Sequence, residues 1–242
     1  MFKQCIAAAL VLALSAIPIT STQASERETY VALGDSITAG EDLAPGERVG
    51  YAERVASEEG YKLTNLGVSG WDSTDLLRAL RHREAFRASV READHVTIYV
   101  GTNDLLGPHL TYIAKGDGRC SETTRCLRRA VNRFHERDEK ILQVVSNLRR
   151  GDMENVEVLT VYRPLVSFER SRAVKPYYDA LNNRLTVLAK REGASVAEIR
   201  SAFNGAGGAD GEKRGMILPR PPDGVHPTEE GHERIADVVA TS

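Results

Sequence analysis

The sequence predicts an α/β fold, a flavodoxin-like three-layer α/β/α sandwich built on a five-stranded parallel sheet. Short β-rich runs alternate with segments of helical period along the chain, which calls for a parallel sheet covered on both faces. Right-handed crossovers leave few topologies for such an alternation, and the flavodoxin-like order is the simplest. The length of 242 residues, 41% hydrophobic, suits one domain with a sizeable core, without internal repeat or interdomain linker.

The elements follow in order. Thr29 to Leu33 (TYVAL) is a strand stopped by Gly34. Val49 to Glu59 has helical spacing and stops at Gly60. Tyr61 to Leu66 is the second strand, ended by Gly67. Ser73 to Leu80 opens as a helix with Ser73 or Asp72 as cap. His95 to Val100 (HVTIYV) is a buried-type strand ended by Gly101. Leu127 to Leu148 is a long amphipathic helix, and Val156 to Tyr162 a fourth strand. Val174 to Arg191 is helical, with Pro176 in its first turn and Gly193 after its end. Ala194 to Ile199 is the fifth strand and Thr228 to Val239 the last helix. Leu105 to Thr124 and Asn204 to Pro222 lack periodicity and read as loops rimming the ligand crevice.

The first 24 residues read differently. Lys3 precedes an apolar run from Ile6 to Ile19, which leads to the small-residue exit at Ala24. That is the layout of a secretory signal peptide, so residues 1–24 are set aside and 25–242 form the domain. An uncleaved anchor is the alternative, although the run holds Pro18 and is short for a span of ~20 residues. The expected location is therefore secreted or periplasmic. The net charge of −2 offers no basic field for nucleic acid. Cys120 and Cys126 remain after the leader. In an exported protein such a pair reads as a disulfide, with two free thiols as the alternative. Six steps of continuous α-helix rise ~9 Å, beyond the ~7 Å reach of a bridge, so pairing requires a helix that begins only near Cys126.

Four motifs fall at the ends of strands or just before the last helix. Gly34-Asp35-Ser36 places a hydroxyl at a strand-to-helix turn, beside unpaired backbone N–H groups able to hold negative charge. Asn65-Leu66-Gly67-Val68-Ser69-Gly70 offers at Gly67 a close backbone approach and an N–H donor. Gly101-Thr102-Asn103-Asp104 supplies, in Asn103, an amide donor that does not titrate; Asp104 reads as a cap or loop anchor. Asp223-Gly224-Val225-His226 spaces a carboxylate and an imidazole so that the acid can hold one ring nitrogen while the other faces a serine. Singly, each is as readily a turn, an Asx cap or a solvated histidine. Their strength is that all four converge on one edge of one sheet.

In that order the blocks resemble the SGNH, or GDSL, hydrolase superfamily, from Tyr30 to about Ile235. The resemblance implies ester hydrolysis on the flavodoxin-like fold. Ser36 would be the nucleophile, His226 the general base and then acid, and Asp223 its orienter. The oxyanion hole would comprise the N–H of Ser36, the N–H of Gly67 and the side chain of Asn103. No metal or organic cofactor is implied. His82, His95, His109, His135 and His232 read as structural, and Trp71 as pocket wall or core. Apolar residues of the rim (Leu105, Leu106, Leu110, Tyr112, Ile113, Leu165, Val166, Phe168, Met216, Ile217, Leu218) serve an acyl chain or the core beneath the loops. They favour a lipase or carboxylesterase acting on fatty-acyl or lysophospholipid esters, working as a monomer with transient contact to a lipid surface. The runner-up is an acetyl esterase acting on glycans. From another class, a non-catalytic binding protein on the same fold is the alternative. A nucleotide-binding protein is disfavoured by the absence of a Gly-rich phosphate loop after the first strand.

Overall fold

The structure is a computed structural model and describes residues 27–43, 49–115, 121–205, 215–219 and 223–241. The expected leader lies outside the described residues. Five parallel strands, β1 (Thr29–Gly34), β2 (Lys62–Gly67), β3 (His95–Tyr99), β4 (Val156–Leu159) and β5 (Ser195–Ala197), form one sheet in the order β2-β1-β3-β4-β5. This is the flavodoxin-like order, and the chain reverses its direction of winding between β1 and β3. Ligands of open α/β sheets bind at such a reversal, beyond the carboxyl ends of the strands.

Alternation along the strands divides the core. Val31 and Leu33 of β1 face one side, and Tyr30 and Ala32 the other. The first face is covered by α3 (Ser73–His82), α4 (Glu84–Glu92), α5 (Thr102–Lys115), α6 (Ser121–Leu148) and α7 (Lys175–Glu192). Leu76, Leu80, Phe134, Ile141 and Leu185 are fully buried there. The second face is covered by α2 (Tyr51–Glu59), α8 (Ile199–Asn204) and α9 (Glu229–Ala240), through Tyr51, Val55, Phe203 and Ile235. Each such apolar side chain stabilises by roughly 1.5–3 kcal/mol relative to exposure. A one-turn helix, α1 (Ser36–Ala39), follows β1 directly.

Where boundaries differ from the sequence reading, tertiary bonds explain them. Asp72 caps α3 in a reciprocal box with Asp75. β4 ends at Leu159 rather than Tyr162, because the Asn182 side chain takes over the ladder: its Oδ1 accepts from Val161 N–H at 2.7 Å and its Nδ2 donates to Val161 O at 2.8 Å. Much of the expected loop Leu105 to Thr124 is helix: α5 runs through Pro108 and packs along α6. Gly107-Pro108 conceals it in the sequence, and packing overrides their low helix propensity. The Cys120–Cys126 bridge is a correction. Cys126 is a free, exposed thiol, and α6 already begins at Ser121 instead of near Cys126. Cys120 lies outside the described residues.

The helical layer also buries acids. Burial, reinforced by the charge of Asp104, pushes Asp138 of α6 up to about 7 against the opposing Arg184. Its Oδ2 has no hydrogen-bond partner among the described residues. The folded state therefore keeps this proton between about pH 4 and 7, where the unfolded chain has lost it. Through this group, stability falls as pH rises across that window. Asp138→Asn is expected to raise Tm by several degrees at pH 8 and by only about a third as much at pH 5, which lies about one unit into that window, as calorimetry at both pH values would read. Equal Tm for the two proteins at pH 8 would show that the ionised carboxylate costs nothing.

Candidate active site

Ser36 opens α1, and its placement begins with Asp35. That carboxylate caps the helix, accepting from Ile37 N–H at 3.0 Å, and is itself completely buried. Burial pushes Asp35 up to about 7, the Ile37 bond and the charge of His226 pulling the other way. The helix start leaves Ser36 nearly buried with its hydroxyl at the carboxyl edge of the sheet.

His226 arrives from the far end of the chain. Its Nε2 lies 2.9 Å from Ser36 Oγ, and its Nδ1 lies 2.8 Å from Asp223 Oδ1. The other Asp223 oxygen accepts from Val225 and His226 N–H, each at 2.6 Å, so the loop is wound round its own carboxylate. Tyr162 donates its hydroxyl to Val225 O at 2.6 Å, and Leu165 N–H bonds Gly224 O at 2.9 Å. A strand-like bridge, Ile217 to Pro227, fixes the next residues. Burial alone would raise the Asp223 carboxyl, but the bonds from His226 and Val225 outweigh it and hold it below its usual range. Burial would lower His226; the Asp223 bond and the charges of Asp223, Asp42 and Glu41 win and raise it.

The donor side comes from the loops after β2 and β3. Asn103 Nδ2 donates to Trp71 O at 2.9 Å, which fixes the amide and leaves its second hydrogen for a ligand. Asp104 beside it accepts from Ser73 N–H at 2.9 Å and Ser73 Oγ at 2.5 Å, tying the two loops together in the anchoring role read from the sequence. Burial nevertheless raises Asp104 to about 6.

Gly67 is placed differently from expectation. Its N–H is spent on Asn65 Oδ1 at 2.9 Å, and a Cβ there would lie 2.4 Å from Ala39 N, so this glycine serves close packing of β2 on α1. Asn65 is itself locked, its Nδ2 donating to Thr38 O and Glu53. Three residues on, Trp71 N–H bonds Val68 O, and Gly70 sits in this turn with φ +77°. That is the position of a type II turn reserved for glycine. The Gly70 N–H has no partner among the described residues, and the space around its Cα is open. The signal was present in the sequence as the second glycine of the same motif.

Other residues sort by burial. His232 accepts Tyr51 N–H on Nδ1 at 3.2 Å, and burial lowers it to about 4, in keeping with a structural role. His109 is buried between Tyr178 and Ser171, and burial lowers it to about 3. Trp71 is half-buried, stacked on Phe86 under the Arg83 guanidinium. Of the apolar rim, Leu105, Leu165, Val166, Met216 and Ile217 belong to the core, whereas Leu106, Leu110, Tyr112, Ile113, Phe168 and Leu218 are half-buried. A cavity of about 260 Å³ lies at the opposite, amino-terminal edge of the strands, between Tyr30, Tyr61 and His95, and reaches none of the motif residues. One group of donors among the described residues has the spacing of a metal site, Asp42, Asp223 and His226, whose atoms lie within 4.8 Å of one another. A cation there would have to take the imidazole nitrogen that now faces the two carboxylates.

A hydroxyl, an imidazole and a carboxylate in line, at the carboxyl edge of a parallel sheet, form the constellation of serine-type hydrolases. The chain belongs to the GDSL-like Lipase/Acylhydrolase family, whose sequence profile matches residues 32–234, and it is accordingly an ester-bond hydrolase. No curated protein sequence matches it. Among solved structures it is similar to a lipase from a goat rumen metagenome (TM-score 0.72, 22% identity, covering 88% of this chain and 96% of that one). Phospholipase A1 from Streptomyces albidoflavus gives TM-score 0.71 at 19% identity, covering 89% and 99%. An acetylxylan esterase from Geobacillus stearothermophilus, solved as a catalytic mutant, gives 0.60 at 18%, covering 88% and 93%. These likenesses establish the fold.

Proposed function

We propose that this protein is an exported serine esterase that cleaves fatty-acyl esters through an acyl-serine intermediate. The observation that carries the reading is the unbroken relay Ser36 Oγ, His226 Nε2, His226 Nδ1, Asp223 Oδ1, with both contacts under 3 Å. His226 takes the hydroxyl proton as Ser36 attacks the ester carbonyl, and Asp223 steadies the imidazolium that forms. The alcohol leaves with that proton. Water then repeats the sequence on the acyl-enzyme.

The negative oxygen formed in each half needs fixed donors. Ser36 N–H at the start of α1, the spare hydrogen of Asn103 Nδ2 and the unspent N–H of Gly70 supply them. Gly70 takes the part expected of Gly67, whose N–H is engaged. A structure with a phosphonate adduct tests the assignment: its oxygen should lie about 3 Å from Gly70 N, and contact with Gly67 N instead would reverse it. Base catalysis needs neutral His226. Because its pKa is raised, activity should decline as pH falls through a midpoint above the ordinary histidine value.

The half-buried Leu106, Leu110, Ile113 and Phe168 on segments following β3 and β4 support an acyl chain as the substrate's apolar part. Similar folds carry the names lipase, phospholipase A1 and acetylxylan esterase, which span the lipid and glycan alternatives. A series of p-nitrophenyl esters from acetate to palmitate separates them. We expect kcat/KM to rise beyond acetate; a sharp preference for acetate would favour glycan deacetylation and defeat the fatty-acyl reading. The apolar leader of residues 1–24 supports export, and we take the working unit to be one chain.

A further inference from the structure

We propose that the imidazole of His226 is held by two carboxylates, with Asp42 a positioning residue that reinforces Asp223 and takes over its hydrogen bond when Asp223 is lost. The inference rests on the esterase reading above.

It begins with the way α1 ends. Gly40 caps the single turn in the left-handed conformation, and Glu41 N–H still bonds Ser36 O at 3.0 Å. The chain then turns again at Asp42, whose φ of +65° is unusual for any residue but glycine and tolerated best by Asp and Asn. This returns its side chain to the site. Asp42 Oδ2 lies 2.8 Å from His226 Nδ1, the same distance as Asp223 Oδ1.

One ring nitrogen carries one hydrogen, so two carboxylates cannot both receive it in line. Asp223 meets the hydrogen-bond geometry; Asp42 makes the contact as an ion pair. While Asp223 is present, Asp42 acts through its charge, favouring the imidazolium formed when Ser36 gives up its proton. The two acids differ in freedom. Asp223 is clamped by two backbone N–H groups and its side chain is 17% exposed. Asp42 has no such clamp among the described residues and is 48% exposed, so it can swing into line. The remaining charged or titratable groups near the ring are Glu41, whose Oε2 is 4.0 Å from Nε2, the buried Asp35 and His232 of α9. None of these approaches Nδ1 as Asp42 does.

The test compares the full-length protein with Asp42→Asn, Asp223→Asn and the double variant, reading kcat/KM on a p-nitrophenyl ester and the His226 titration by NMR of its ring protons. Removing the Asp42 charge should lower the His226 pKa by about one unit and move the acid limb of the pH–rate profile to lower pH. Asp42→Glu should restore both. Loss of the only acid of such a triad costs ~10⁴ in turnover. Here Asp223→Asn should cost only about 10², and the double variant about 10⁴. An unshifted His226 titration in Asp42→Asn, or a double variant no worse than Asp223→Asn, overturns the proposal. The NMR titration needs no turnover. A wild-type protein that fails to label with a fluorophosphonate would sink the esterase reading and still leave the Asp42 question answered.

Discussion

Ser36→Ala is expected to abolish labelling by a fluorophosphonate and to lower kcat by about 10⁵–10⁶, while the protein stays folded. The size follows from the loss of the one atom that bonds the acyl group; what remains is binding and the donors, which alone leave ~10³–10⁴ over water. The stability cost is small for two reasons. The hydroxyl fills little volume, and the contact it loses is to His226 Nε2, on a side chain that is 17% exposed and so within reach of water. Intact-protein mass spectrometry after phosphonate treatment reads the first outcome, and circular dichroism the second. Labelling that persists in Ser36→Ala would place the nucleophile elsewhere.

Asn103→Ala is expected to lower kcat by about 10²–10³ with a smaller change in KM, since its spare hydrogen meets charge that exists only in the transition state. The side chain also donates to Trp71 O, so part of any loss could arise from a shifted Trp71 loop. Asn103→Asp loses the same bond, because a carboxylate cannot donate to Trp71 O, and it also presents negative charge to the oxyanion, so it should be at least as inactive as the alanine variant. Turnover close to wild type in Asn103→Ala would remove this residue from the hole. Steady-state kinetics on one activated ester suffices for both.

The fold was legible because its signals are local. β1 and β2 each stop at a glycine and β3 two residues before one, and the helices between them carry apolar stripes that name their buried faces. What misled was non-local. β4 is cut short by an amide from α7, a partner no strand pattern can reveal. α5 hides behind Gly107-Pro108, and only packing on α6 rescues it. The expected cysteine bridge is not seen at Cys126, a free thiol, because α6 starts at Ser121, nearly two turns before Leu127, where its apolar period begins.

Within the site, the meeting of Ser36, Asp223 and His226 was legible because all three fall on turns at the carboxyl edge of the sheet. Gly67 and Gly70 were not separable from sequence, since the difference lies in whose amide Asn65 has already taken. Asp42 gave no sequence signal. It depends on a left-handed turn and on a ring contributed from the opposite terminus.

Ser36 and His226 lie 190 residues apart along the chain. A polypeptide emerging from the ribosome thus carries its hydroxyl long before the His226 imidazole is there to deprotonate it. Proteolytic removal of a short C-terminal piece would disarm it equally. Because the base is the last of the three groups to be made, an unfinished copy holds the Ser36 hydroxyl without the imidazole that contacts it.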